Sequence, residues 1–161
     1  MRDNVPFDSG EGEVLPAWID SNDHMNLAYY VVLFDQATDA IYEAFGLGPG
    51  YKARTNCGTF AAESHNLYEQ ELRLGERVRV KTWVLGADSK RLHLAHEMYR
   101  LSDNARAATQ ELLYLHVDLG RRKVVPWPDF VLQNLQNFVA LHARYDHPSW
   151  IGRKIGMPVK V

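Results

Sequence analysis

Seven residues near the start of the chain, Asp20-Ser21-Asn22-Asp23-His24-Met25-Asn26, carry two carboxylates, an imidazole and two amides. They stand directly before a stretch of helical periodicity. A helix N-terminus presents backbone N–H groups without intrahelical partners, together with a partial positive charge. Such donors polarise a carbonyl and stabilise the oxyanion that forms when it is attacked. A carboxylate beside them can serve as a base towards water or attack the carbonyl itself. The same residue types also favour turns and helix caps, so spacing alone leaves both readings open.

The elements that position this segment follow from the hydrophobic periods. Tyr30, Leu33, Phe34, Ala37, Ile41 and Ala44 recur at three- and four-residue steps, which predicts one long helix with a buried stripe. Asn26 or a neighbour caps its start, and Gly46 with Gly48-Pro49-Gly50 stops it. Before it, residues 14–19 read as a short strand that Pro16 confines to an edge or an end. After it, residues 60–72 read as a long strand closed by Leu74-Gly75-Glu76, and residues 78–85 as a second. Gly86-Ala87-Asp88-Ser89 supplies a hairpin turn. The next strand sets Leu92, Leu94 and Met98 on one face and His93, Ala95, Glu97 and Tyr99 on the other. Ser102-Asp103-Asn104 turns the chain, and residues 107–117 return with Leu113, Leu115 and Val117 on one face. Residues 127–145 predict a C-terminal helix. An α+β fold follows: one long helix wrapped by an antiparallel sheet of about five strands.

The chain has 161 residues, 46% hydrophobic and 24% charged, with a net charge of −2. That composition suits a soluble globular protein and argues against a nucleic-acid surface or a polybasic membrane patch. No repeat, low-complexity tract or linker divides residues 1–161, so one domain is expected. No apolar run approaches the roughly 20 residues that span a bilayer, and the polar N-terminus lacks a signal-peptide core. The single cysteine, Cys57, excludes an intrachain disulfide and fits a reducing, cytoplasmic setting. The sheet leaves an open edge, which predicts a homodimer or a dimer of dimers.

The pattern Asp20-x-x-Asp23-His24-Met25-Asn26-x-x-x-Tyr30 resembles the motif of hotdog-fold thioesterases of the 4-hydroxybenzoyl-CoA thioesterase-like group. That group shows an Asp, a short spacer, Gly-His-Val-Asn, and then a Tyr early in the helix. Leu74-Gly75-Glu76 matches its Gly-Asp turn, and the likeness extends over most of the chain. The resemblance implies an acyl-CoA substrate, thioester hydrolysis and no cofactor beyond the coenzyme A of the substrate. It puts Asp20 on the catalytic aspartate, with His24, Asn26 and Tyr30 on matching positions and Leu27 as the source of a helix-end N–H. Asp23 stands where the group has Gly. If that position takes a positive φ, Asp tolerates it better than most residues. Asp23 also sets a second acid beside the first, which could share the role.

A narrower likeness runs through Trp18-Ile19-Asp20, His24-Met25-Asn26, Phe60-Ala61-Ala62-Glu63-Ser64-His65 and Asp88-Ser89-Lys90-Arg91-Leu92-His93. These resemble the small thioesterases associated with carnitine degradation, a branch that cleaves betainyl-CoA to glycine betaine and is sometimes attached to carnitine dehydrogenase. A quaternary ammonium head implies an aromatic box, each cation–π contact contributing about 0.5–2 kcal/mol. Trp18, Tyr29, Tyr30, Phe60, Tyr68 and Trp83 are candidates, although each of these types is also a usual core residue.

Other residues carry competing readings. Glu63 and His65, two apart on a strand, share a face and are either a second acidic site or a hydrogen-bonded pair. Lys90 and Arg91 at the hairpin, and Arg121-Arg122-Lys123, suit coenzyme A phosphates or a solvated turn. His93 and His96, three apart on a strand, face opposite sides, as do Glu111 and His116, so no metal site is expected. Cys57 shows no partner that would activate it, and Ser64 and His65 point apart. Two rivals to hydrolysis remain: a hotdog hydratase or dehydratase acting on acyl thioesters, and a non-catalytic acyl-CoA binding module.

Overall fold

The computed structural model describes residues 4–157. Strand β1 (Phe7–Glu13) is followed by a 3-10 turn (Pro16–Trp18), helix α1 (Leu27–Phe45) and the short helix α2 (Tyr51–Thr55). Then come β2 (Cys57–Tyr68), β3 (Arg77–Ala87), β4 (Arg91–Arg100), β5 (Arg106–Asp118), the two-residue β6 (Lys123–Val124) and α3 (Asp129–His142). The strands form one antiparallel sheet in the order β1-β3-β4-β5-β2, with β6 on β5. Sheet and helices have the α+β arrangement expected from the periods.

Residues 14–19 are not a strand. Pro16, which lacks an N–H, opens the 3-10 turn instead, and the first strand lies earlier, in the polar run Phe7–Glu13. That run has little apolar alternation because it forms a sheet edge facing water. Glu11 pins it by ion pairs to Arg77 and Arg79 on β3. The strand predicted over residues 60–72 runs from Cys57 to Tyr68. Beyond it the N–H groups of Glu69 and Gln70 both donate to the Ala107 carbonyl, and the chain leaves the ladder. Gly86 and Ala87 belong to β3, and the hairpin turns on Asp88, whose Oδ1 accepts from the N–H groups of Lys90 and Arg91. On β5 the buried, helix-facing residues are Leu112, Tyr114 and His116, while Leu113 and Leu115 lie half-buried on the opposite face. The predicted apolar face was therefore the outer one.

Helix α1 buries Tyr30, Leu33, Phe34, Ala37, Thr38, Ile41, Tyr42 and Phe45, close to the stripe read from the sequence. Its N-terminal half packs with Met25, Leu72, Val78, Val80, Met98 and Ala108. Its C-terminal half packs with Leu92, Leu94, Leu112, Tyr114 and the α3 residues Val131 and Leu135.

A chain of buried polar groups crosses this core. Thr38 donates its hydroxyl to the Phe34 carbonyl (3.1 Å), so its oxygen accepts from His96 Nε2 (3.0 Å). His96 Nδ1 must then accept from Thr82 (2.8 Å), and Thr82 from Ser9 (2.6 Å). Full burial holds His96 neutral, its pKa lowered to about 3.

The opposite, convex face of the sheet is partly covered by the chain after α3. Trp150 and Ile151 pack with Trp83, Ala95, Leu67 and Leu85. Buried Glu97 accepts from the indoles of Trp83 and Trp150 (both 3.1 Å) and from Arg106 Nη1 (3.0 Å).

Candidate active site at the mouth of the long helix

The loop before α1 is held at several points by its own backbone. Ile19 and Met25 form an isolated antiparallel bridge. Inside it the Asp20 N–H donates to the His24 carbonyl (3.0 Å), and the Asp23 N–H to the Asp20 carbonyl (3.1 Å). Asp23 closes the turn with φ 62°, the left-handed region that Asp tolerates better than most side chains. The loop is tied outward as well, from Met25 N–H to the Leu72 carbonyl (2.7 Å) and from Asn26 N–H to the Trp18 carbonyl (2.9 Å). Asp20 is thereby fixed opposite His24. One of its oxygens accepts from the Asn22 N–H (2.8 Å), and the carboxylate is half-buried, whereas Asp23 is exposed.

Asn26 is the N-cap of α1. Its side chain accepts from the Ala28 N–H (3.0 Å) and its carbonyl from the Tyr29 N–H (3.1 Å). Leu27, first residue of the helix and exposed, contributes an N–H with no intrahelical acceptor. His24 places Nδ1 3.2 Å from the Met25 carbonyl; a carbonyl only accepts, so Nδ1 donates in this contact.

A cavity of about 230 Å³ opens beside this mouth, lined by His24, Met25, Leu27, Tyr30, Tyr68, Glu69, Gln70 and Glu71. The phenol of Tyr30 donates to the Gln70 carbonyl (3.1 Å), and its ring meets that of Tyr68 edge-on, centroids 5.3 Å apart at 82°. Burial raises the Tyr30 pKa above its ordinary value, which keeps the phenol neutral. Trp18 stacks on Tyr29 (5.2 Å, 12°) at the back of the same loop.

Of the residues singled out from the sequence, Trp18, Asp20, Asp23, His24, Asn26, Leu27 and Tyr30 gather at this end of α1. Phe60, Glu63 and His65 pair in register with Leu115, Leu113 and Glu111 and so lie on the convex face, away from the helix. There Glu63, His65, His93 and Glu111 line a second cavity of about 320 Å³ with Gly152, Arg153 and Lys154. His93 Nε2 lies 2.7 Å from Glu111, which also accepts from the Gly152 N–H (2.7 Å). Lys90 and Arg91 sit at the exposed β3–β4 turn, Arg91 paired with Asp88 (2.6 Å). Among the described residues no group of three or more His, Cys, Asp or Glu side chains is placed to hold a metal ion. Glu69, Gln70 and Glu71 were not singled out from the sequence. They directly follow β2 and meet the helix mouth only through the fold.

The family model of the thioesterase-like superfamily matches residues 14–135. A betainyl-CoA thioesterase from Pseudomonas aeruginosa is 34% identical over 148 residues, 92% of this chain and 93% of that protein. An L-carnitine dehydrogenase/betainyl-CoA thioesterase from Rhizobium meliloti is 31% identical over 89% of this chain, which spans 29% of that longer protein. A Staphylococcus aureus protein solved in complex with CoA superposes with a TM-score of 0.85 at 25% identity, covering 92% of this chain and 94% of that one. The chain belongs to the thioesterase-like superfamily, has its hotdog fold, and is a hydrolase of acyl-CoA thioesters.

Proposed function

We propose that the protein hydrolyses betainyl-CoA to glycine betaine and CoA, with the reaction centred on Asp20 at the mouth of α1. The observation that carries this reading is the backbone-locked loop that holds Asp20 opposite His24, directly before the N-cap Asn26 and the first-turn N–H of Leu27. The betainyl-CoA thioesterase at 34% identity over nearly its whole length supports the choice of acyl group. The cavity supports it too, being smaller than the roughly 300–1,000 Å³ of drug-sized ligand pockets.

The thioester carbonyl oxygen takes the Leu27 N–H, aided by the helix dipole. Asp20 removes a proton from water as its oxygen bonds to the acyl carbon. The tetrahedral intermediate collapses with cleavage of the carbon–sulfur bond, and the proton held by Asp20 passes to the leaving thiolate. His24 and Asn26 hold the loop and the helix start, and Asp23 supplies the turn. Lys90 and Arg91, at the turn beside the C-terminal half of α1, lie away from this mouth, and coenzyme A enters as part of the substrate.

The working unit is a homodimer or dimer of dimers, formed by antiparallel pairing of the free edge of β2. Among the described residues this twelve-residue strand pairs with β5 alone, and it is exposed or half-buried along its length. No helix of the described residues is long and apolar enough to cross a membrane, and the free thiol of Cys57 suits the reducing cytoplasm.

Thiol release from betainyl-CoA, measured for the wild type and Asp20→Asn, tests the reading. Turnover that falls at least about a hundredfold in the variant supports it; near-wild-type turnover in the variant overturns it.

A further inference from the structure

We infer that Tyr30, Tyr68 and Glu71 form a subsite for a fixed positive charge on the acyl group, and so select the substrate. This rests on the hydrolytic reading of the α1 mouth and goes beyond it, because it assigns specificity to residues outside the Asp20–Asn26 loop.

The first observation is the lining of the cavity beside Leu27. It holds two phenol rings, two carboxylates and the imidazole of His24, and neither lysine nor arginine. The two rings stand at 82° and give the cavity two aromatic walls, each with a negative face. Tyr30 is anchored by its hydroxyl on the Gln70 carbonyl, so its ring is held in place before a ligand arrives. A cation without N–H donors gains from such faces, while it cannot use the hydrogen bonds that a primary ammonium would seek.

The two carboxylates differ. Glu69 spends both oxygens on Arg106 (2.7 and 2.9 Å). Glu71, which also lines the cavity, meets Arg73 through Oε1 alone (3.0 and 2.7 Å), and its Oε2 takes no hydrogen bond from the described residues. That contact also draws the Glu71 pKa below its usual value, so the group stays ionised. Both Glu71 and Arg73 face solvent, at 49% and 72% exposure, so the pair is screened and the carboxylate is not cancelled.

Reach fits as well. Leu27 and Tyr30 are three residues apart on α1, hence neighbours about 5–6 Å apart on one helix face. With the carbonyl oxygen at the Leu27 N–H, a positive centre two bonds from the carbonyl carbon falls against the Tyr30 ring. A longer acyl chain would carry its charge past these walls. The substrate class is therefore a short acyl-CoA bearing a quaternary ammonium close to the thioester.

The test compares kcat/KM for betainyl-CoA and for its uncharged carbon isostere, 3,3-dimethylbutyryl-CoA, in the wild type, Glu71→Gln and Tyr68→Leu. The wild type should prefer the charged thioester by at least about tenfold, and each variant should cut that ratio about three- to tenfold. Glu71 and Tyr68 are exposed, so both variants fold. Equal rates on the two thioesters in the wild type, or a ratio that neither variant changes, overturns the subsite. Asp20→Asn assayed on both thioesters tests the hydrolytic reading separately, since it acts on the reaction whichever head is present.

Discussion

Two cavities, one on the convex face of the sheet and one at the α1 mouth, differ in what surrounds their polar groups. On the convex face Glu63, His65, His93 and Glu111 bring four titratable groups to about 320 Å³. His93 and Glu111 are already bound to each other, and Glu111 also holds the chain at Gly152. At the α1 mouth the space is smaller, about 230 Å³, yet it is lined by Leu27 at the first turn of the helix and lies next to the loop whose backbone bonds hold Asp20. His93 and Glu111 thus fasten the structure, His65 keeps a buried Nδ1 without a partner among the described residues, and only the α1 mouth adds a helix N-terminus to its polar groups.

The comparison can be broken most directly with paired carboxylate variants. Asp20→Asn is expected to lower kcat on betainyl-CoA by about 10² to 10⁴, the usual worth of a positioned base. Glu63→Gln is expected to lower it by less than about tenfold, and a loss matching that of Asp20→Asn would move the chemistry to the convex face. Thr38→Val sharpens the contrast by removing the acceptor that buried His96 uses, at a cost of about 1–3 kcal/mol read from denaturant unfolding. Asn26→Ala strips the cap from α1 and should cost about 0.5–2 kcal/mol, with a fall in kcat as the mouth frays. Glu111→Gln should lower the melting temperature while leaving KM for the acyl-CoA within about twofold, because its partners belong to the convex face.

Acid acts on the core beneath the mouth. The pKa of His96 is lowered to about 3 and that of His142 to about 4, burial being the first cause in both. The unfolded chain therefore binds protons that the folded chain excludes. Stability present above the unfolded value of about 6.5 is lost as the pH falls from there towards 4 and 3. Melting curves across that range should show a falling midpoint, with a shallower slope in His142→Gln.

Much of the candidate site could be read from the sequence because its residues are contiguous. Asp20, His24 and Asn26 stand within seven residues, and a helix start can be recognised from its cap and the stripe that follows. Asp23 was legible too, since its φ of 62° explains how an Asp serves in this turn where the family has Gly. Glu71 was not, because a polar residue just past a strand looks like any surface position until the fold brings it to Tyr30. Strand β1 was missed for a related reason. An edge strand exposed to water needs little apolar alternation, and its partner β3 lies some seventy residues away. On β5 the period of two was recognised but its phase was not. Leu113 and Leu115 are as apolar as Leu112, and the register with β4 and β2 decides which set turns inward.

The hydroxyl–imidazole chain through Ser9, Thr82, His96 and Thr38 bears on the site at a distance. A helix seated on a sheet by apolar contacts alone can slip or roll while still burying the same area. Thr38 gives α1 a directional peg near mid-length, and a slip of even one ångström would strand an imidazole in the core. Because α1 moves as a stiff rod, locating Thr38 also locates Leu27 three turns away. In the proposed reading, the tolerance of a hydrogen bond in the core becomes the tolerance with which the helix meets its thioester.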